Sequence, residues 1–182
     1  MAPILGIYAS QISGHLWAPS GAYDSIATVT LGTSASSIDF TSIPSTYTHL
    51  QIRASHLSSA GANFYIRLNS DTSANYAWHE LVGDGATAGG YNASSVTLGY
   101  YAYSPSGANP TVSVIDLLDY ANTNKNKTVR ALAGNDNNGS GRVTFTSSLW
   151  RSTSAVNAVT IYPSTGTFSQ YSSFALYGIK GN

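Results

Sequence analysis

The chain lacks cysteine altogether, holds a single glutamate, Glu80, and has few charges of either sign. Without cysteine there is neither a disulfide framework nor a thiolate metal site, so stability has to come from an ordinary core. Only 9% of the 182 residues are charged, against about 25% in an ordinary soluble domain. Ser and Thr instead make up about a quarter of the chain. A surface kept in water by hydroxyls and amides suits contact with a particle or a carbohydrate better than cytosolic catalysis. The formal net charge is zero, with five Arg and three Lys scattered along the chain. That leaves no electrostatic footprint for a phosphate backbone and argues against a nucleic-acid partner. Long apolar runs are missing too. Ala2 to Ala9 is too short to span a bilayer and has no Lys or Arg before it, which argues against membrane insertion and against a signal peptide. A Gly-x-Ser-x-Gly elbow, a phosphate loop leading into a helix and a His-Glu-x-x-His run are all absent, so no catalytic residue and no cofactor is expected.

What the chain does contain is core material: 42% hydrophobic residues, with 13 Tyr, 5 Phe and 3 Trp. That excludes disorder and fits one domain. Apolar residues alternate with polar ones from end to end, and helical spacing is scarce. The clearest strands are Thr48 to Ala54, with Leu50, Ile52 and Ala54 on one face, and Asn63 to Asn69, with Phe64, Ile66 and Leu68 on one face. Further strands are expected at Ser25 to Leu31, Val96 to Tyr103, Thr111 to Leu118, Lys127 to Ala133, Arg142 to Trp150, Val156 to Tyr162 and Ser172 to Ile179. Short pieces fall near Ser37 to Phe40 and Ala77 to Val82. Turn residues separate them, and the Gly- and Ala-rich run Gly83 to Ser95 reads as the longest loop. So many short antiparallel strands predict an all-β fold, a two-sheet β-sandwich of jelly-roll type over residues 25–182. Residues 1–24, with Ile4, Leu5, Ile7, Tyr8, Leu16 and Trp17, read as an extended docking arm; the alternative is a first edge strand of the same domain.

Three constellations could carry chemistry. His79-Glu80 with Asp84 is the only local cluster of His with carboxylates, and a glycosidase would need two such carboxyl groups facing each other across a cleft. Capped strand ends explain the same residues. Asp136, Asn138 and Ser140 have the alternate oxygen spacing that begins a calcium loop, but Ser147 stands where a bidentate Glu is needed, and a Gly/Asn hairpin turn uses the same residues. His49 and His56, if they share a strand, project to opposite faces and cannot hold one metal. Aromatic residues are the stronger clue. Tyr100, Tyr101 and Tyr103 cluster on one strand, with Tyr76, Trp78 and Tyr91 flanking the longest loop. Such side chains combine an apolar plate with a polar edge and serve as interface or sugar-stacking residues. Equally, Tyr suits any half-buried strand.

Ser25 to Gly32, the run Ser37 to Arg53 (SSIDFTSIPSTYTHLQIR), Asn75 to Leu81 with Gly83-Asp84-Gly85, and Gln170 to Gly181 (QYSSFALYGIKG) resemble small virion structural proteins of tailed bacteriophages. The resemblance spans residues 25–181 and is most specific from Ser37 to Arg53. It implies a jelly-roll-like, non-enzymatic module exposed on a phage particle, of tail-fibre, head-fibre or capsid-decoration type, assembled in the host cytoplasm. The partners it implies are other virion proteins, further copies of the chain as a homotrimer, and a host-surface glycan. A small polysaccharide depolymerase and a free-standing carbohydrate-binding module are the rivals.

Overall fold

The structure, a computed structural model, describes residues 22–105 and 109–181. The proposed docking residues Ile4, Leu5, Ile7, Tyr8, Leu16 and Trp17 lie outside the described residues.

Every regular element among the described residues is a strand: β1 (Tyr23–Thr30), β2 (Ile38–Phe40), β3 (His49–His56), β4 (Ala62–Leu68), β5 (Tyr76–Gly83), β6 (Ala88–Val96), β7 (Gly99–Ser104), β8 (Thr111–Leu118), β9 (Lys127–Asp136), β10 (Gly141–Trp150), β11 (Val159–Pro163) and β12 (Ser173–Ile179). They form two antiparallel sheets, a larger one of eight strands in the order β1-β12-β3-β8-β9-β10-β5-β6 and a smaller one of four in the order β2-β11-β4-β7. The fold is therefore all-β, a two-sheet sandwich.

Strand alternation supplies the core between the sheets. Leu50 and Ile52 of β3, Ile115 and Leu117 of β8, and Phe174 and Leu176 of β12 face Phe64, Ile66 and Leu68 of β4 and Val159 and Ile161 of β11, all buried. At one end of this core, His56 is ringed by Phe64, Phe168, Phe174 and Tyr101. Towards β9 and β10 the inward side chains shrink to Ala131, Ala133, Thr144, Thr146 and Ser148. Strand β7 settles onto them. The Ser148 hydroxyl accepts from the Tyr100 N–H at 3.1 Å and donates to the Tyr100 carbonyl at 2.8 Å. At the start of β7 only glycine fits, because a Cβ on Gly99 would lie 2.9 Å from Ile66 Cγ2. Small hydroxyl residues on the larger sheet thus hold the edge of the smaller one.

Three expectations need correction. The run Gly83 to Ser95 is no long loop: it holds a tight turn and then β6, an edge strand paired only with β5. Its mostly exposed Gly, Ala and Ser residues have no alternation to display. The single strand expected from Val96 to Tyr103 is two, because Val96 ends β6 in the larger sheet and Gly99 starts β7 in the smaller one. Finally, the strand expected from Val156 begins at Val159, since Val156 and Asn157 are spent on loop hydrogen bonds to Tyr120 and Ile43.

Candidate functional site

The larger sheet extends beyond β7, the edge strand of the smaller sheet, and the step between them is a cleft. Its floor comes from β5, where Trp78 and Glu80 are two residues apart and so face the same way, towards the smaller sheet. Tyr91 of β6 is the cross-strand partner of Glu80 and stands beside it on that face. Arg142 enters from the start of β10. The opposing wall is Asn63 and Tyr65 of β4 with Tyr100 and Tyr103 of β7. Tyr100 and Tyr103 are three residues apart and would face opposite ways on a regular strand. A bulge corrects this: Ala102 pairs with Phe64 and Tyr100 with Tyr65, leaving Tyr101 without a partner on β4. These eight residues enclose about 420 Å³, within the range of about 300–1,000 Å³ usual for small-molecule sites.

One ion pair anchors the cleft. Glu80, whose side chain is only 4% exposed, accepts at Oε1 from Arg142 Nη2 at 2.6 Å and from the Tyr100 hydroxyl at 3.0 Å. Burial, then the charge of Glu80, pushes the Tyr100 phenol well above the usual tyrosine range, so it remains a proton donor. For Arg142, burial works against the charge, and the hydrogen bond and charge of Glu80 outweigh it and raise the guanidinium. The guanidinium also lies 4.8 Å from the Tyr103 ring centroid, a cation–π contact. Trp78 packs on Tyr100 at 4.9 Å between ring centroids, and Tyr65 meets Tyr100 edge-on at 6.3 Å. The result is a plate of aromatic rings around a neutralised charge pair.

Of the six aromatic residues expected on a binding face, Trp78, Tyr91, Tyr100 and Tyr103 line this cleft. Tyr76 and Tyr101 do not, and they are corrections. Tyr76 shares the face of Trp78 but sits farther under the smaller sheet, where its hydroxyl accepts from Leu68 N–H at 3.0 Å. Burial raises its phenol to about 12. Tyr101, the extra residue of the bulge, is fully buried beside Phe64 and His56. Sequence reasoning missed Asn63, Tyr65 and Arg142 as cleft residues. Tyr65 lies on the outward phase of a strand whose alternation was plain, so that signal was present. Nothing local links Arg142 to Glu80, because the pairing depends on β10 lying beside β5.

The other constellations come apart. His79 points to the exposed outer face, away from Glu80. Asp84 caps its own turn, accepting from the Ala86 and Thr87 N–H groups at 2.9 and 2.7 Å, hydrogen bonds that lower its carboxyl. It does not line the cleft with Glu80. The Asp136 loop is the β9–β10 hairpin turn. Asn138 and Gly139 take left-handed φ values of 58° and 103°, and Asp136 Oδ1 accepts from Asn138 N–H at 2.7 Å. His49 and His56 do occupy one strand with opposite faces: His56 is buried, whereas His49 Nδ1 accepts from the Asp119 N–H at 2.9 Å.

A second surface lies on the outer face of the larger sheet, over β8, β9, β10 and β5. Val114, Leu132, Phe145 and Leu81 are direct cross-strand neighbours over β8, β9, β10 and β5. The next row is Val112, Gly134, Val143 and Gly83. The six apolar side chains of the two rows are all exposed, Leu81 by 61% and Val143 by 58%, and no charge falls within either row. Comparison of the chain with protein-family models, with curated proteins and with solved structures gives no match.

Proposed function

We propose that this protein is a non-enzymatic surface protein of a bacteriophage particle, and that it attaches to a host-surface glycan through the aromatic cleft. The carrying observation is the cleft itself: four aromatic residues expected to meet a ligand are gathered with Tyr65, Glu80 and Arg142 around one small-molecule-sized space. Its chemistry favours binding over turnover. The one carboxylate lining it, Glu80, is tied to Arg142 and Tyr100, whereas hydrolysis of a glycoside uses two carboxyl groups across the bond. Asp84, the second carboxylate a depolymerase reading needs, is engaged in its own turn.

The particle assignment draws on the resemblance over residues 25–181 and on strand order. Setting aside the hairpins β5–β6 and β9–β10, four of the twelve strands, leaves eight in the orders β1-β12-β3-β8 and β2-β11-β4-β7. The chain then crosses between sheets at every connection except β4 to β7, which supports the jelly-roll reading. The two added hairpins lengthen one sheet and supply β5, β6 and β10 to the cleft. The outer apolar rows over β8, β9, β10 and β5 support contact between copies of this chain, with a trimer expected, because uncharged faces meet without burying unpaired charge. The stretch before β1 is the part assigned to docking on the particle.

Two measurements test this. A map of the intact particle is expected to show the protein on its surface, and soluble protein is expected to slow adsorption of the phage to its host. Absence from purified particles would overturn the virion assignment, and failure to compete would overturn attachment.

A further inference from the structure

We infer that the cleft selects a neutral, hydroxyl-bearing saccharide, and that Glu80 Oε2 is the acceptor that reads one of its hydroxyls. The inference rests on the attachment reading above and names the chemistry of that site. Both protein hydrogen bonds to Glu80 fall on Oε1. Oε2 accepts none among the described residues, yet it is not one of the enclosed polar atoms left without a partner, so it touches open space. That space is the cleft. A carboxylate oxygen in this setting requires a donor, and sugar hydroxyls are donors.

The other polar tips complete the set. Trp78 Nε1 and the Tyr91 and Tyr103 hydroxyls make no hydrogen bond among the described residues, so they offer one donor and two groups that both donate and accept. Aromatic faces beside them suit the apolar face of a pyranose ring.

Charge decides against the alternatives. An aromatic box with a carboxylate could also hold a quaternary ammonium through cation–π contact. Here the cation position over Tyr103 is already taken by Arg142, and the Glu80 charge is already neutralised by the same group. An acidic sugar fares no better, since an anion drawn to Arg142 is repelled by Glu80, which lies 2.6 Å from the same guanidinium. With the pair balanced, only hydroxyls and a ring face remain to be recognised.

The test is calorimetric titration of the full chain with methyl glycosides of neutral hexoses, with the matching methyl uronates and with choline, followed by each mono-deoxy form of the tightest neutral ligand. Neutral glycosides are expected to bind, with uronates and choline weaker by about tenfold or more. One deoxy position is expected to cost about 10- to 100-fold, as for a hydrogen bond to a charged group. Glu80→Gln is expected to lose the discrimination at that same position. Because the deoxy series leaves the protein unaltered, it decides the matter even if Glu80→Gln does not fold. The inference is overturned if uronates or choline bind more tightly, if every deoxy form binds like its parent, or if none of the panel binds. Adsorption competition reports separately: a protein that binds neutral glycosides but does not slow phage adsorption sinks the attachment reading and leaves the ligand class standing.

Discussion

His56 shows how one buried side chain sets a pH limit. It lies among Phe64, Phe168, Phe174 and Tyr101 with Nδ1 enclosed and unpartnered, and burial lowers its pKa from 6.5 to about 3. The folded protein keeps it neutral while the unfolded chain takes up the proton, so stability falls as pH drops through the window from 6.5 to about 3 and is fully present above it. A single such group contributes up to about 1.4 kcal/mol per pH unit in that window. Denaturant titrations between those limits should show this slope, and His56→Phe, which removes both the proton site and the orphaned nitrogen, should flatten it. Glu80 makes the second prediction at this scale. Arg142→Met leaves a 4% exposed carboxylate without its cation, which costs about 3–5 kcal/mol, whereas replacing both partners with apolar residues costs far less. Equilibrium unfolding of the single and double variants measures the difference.

Among the strands, β7 positions the cleft, and its placement depends on small residues beneath it. Gly99→Val drives a side chain against Ile66 and the Ser148 Cβ, so β7 should lift, with a loss of about 1–3 kcal/mol from overpacking. Trp78 fluorescence should report it, because Tyr100 leaves the indole as the strand moves. Strand β7 also shows where sequence stops being legible. In β3 and β4 the alternation of Leu50, Ile52, Phe64 and Ile66 with polar neighbours fixes both the strand and its buried face. In Tyr100-Tyr101-Ala102-Tyr103 the ring-bearing residues are alike, so composition cannot say which one faces the core, and the bulge that decides it arises from pairing with β4. Strand β6 was illegible for the opposite reason, as Ala88, Gly89 and Gly90 carry little or no side chain to alternate and signal a loop. The aromatic half of the cleft could be read from Tyr and Trp clustering. The charged half could not, since Glu80 and Arg142 meet only after β10 pairs with β5.

At the level of the whole molecule, the added hairpins contribute to both notable surfaces. The inner face of β5, β6 and β10 builds the cleft, and the outer face of β9, β10 and β5 carries Leu132, Val143, Phe145 and Leu81. An exposed apolar patch of this kind marks a contact surface. Light scattering on purified protein should therefore show an oligomer, and Phe145→Glu, which places a charge in the middle of the row, should shift it to monomer without lowering the unfolding midpoint of the monomer. This division fits the low charge of the sequence: on the proposed reading, one face is left apolar for copies of the chain, and the opposite one offers rings and hydroxyls to a ligand. The central claim is that the cleft attaches the particle to its host, and adsorption kinetics test it most directly. Phage adsorption is followed in the presence of soluble wild-type protein or Tyr91→Ala, a variant whose altered residue is 56% exposed. Wild-type protein should slow adsorption, and the variant should require up to about tenfold more protein for the same effect, the worth of one stacking contact. Equal slowing by both proteins, or none by either, would contradict the account.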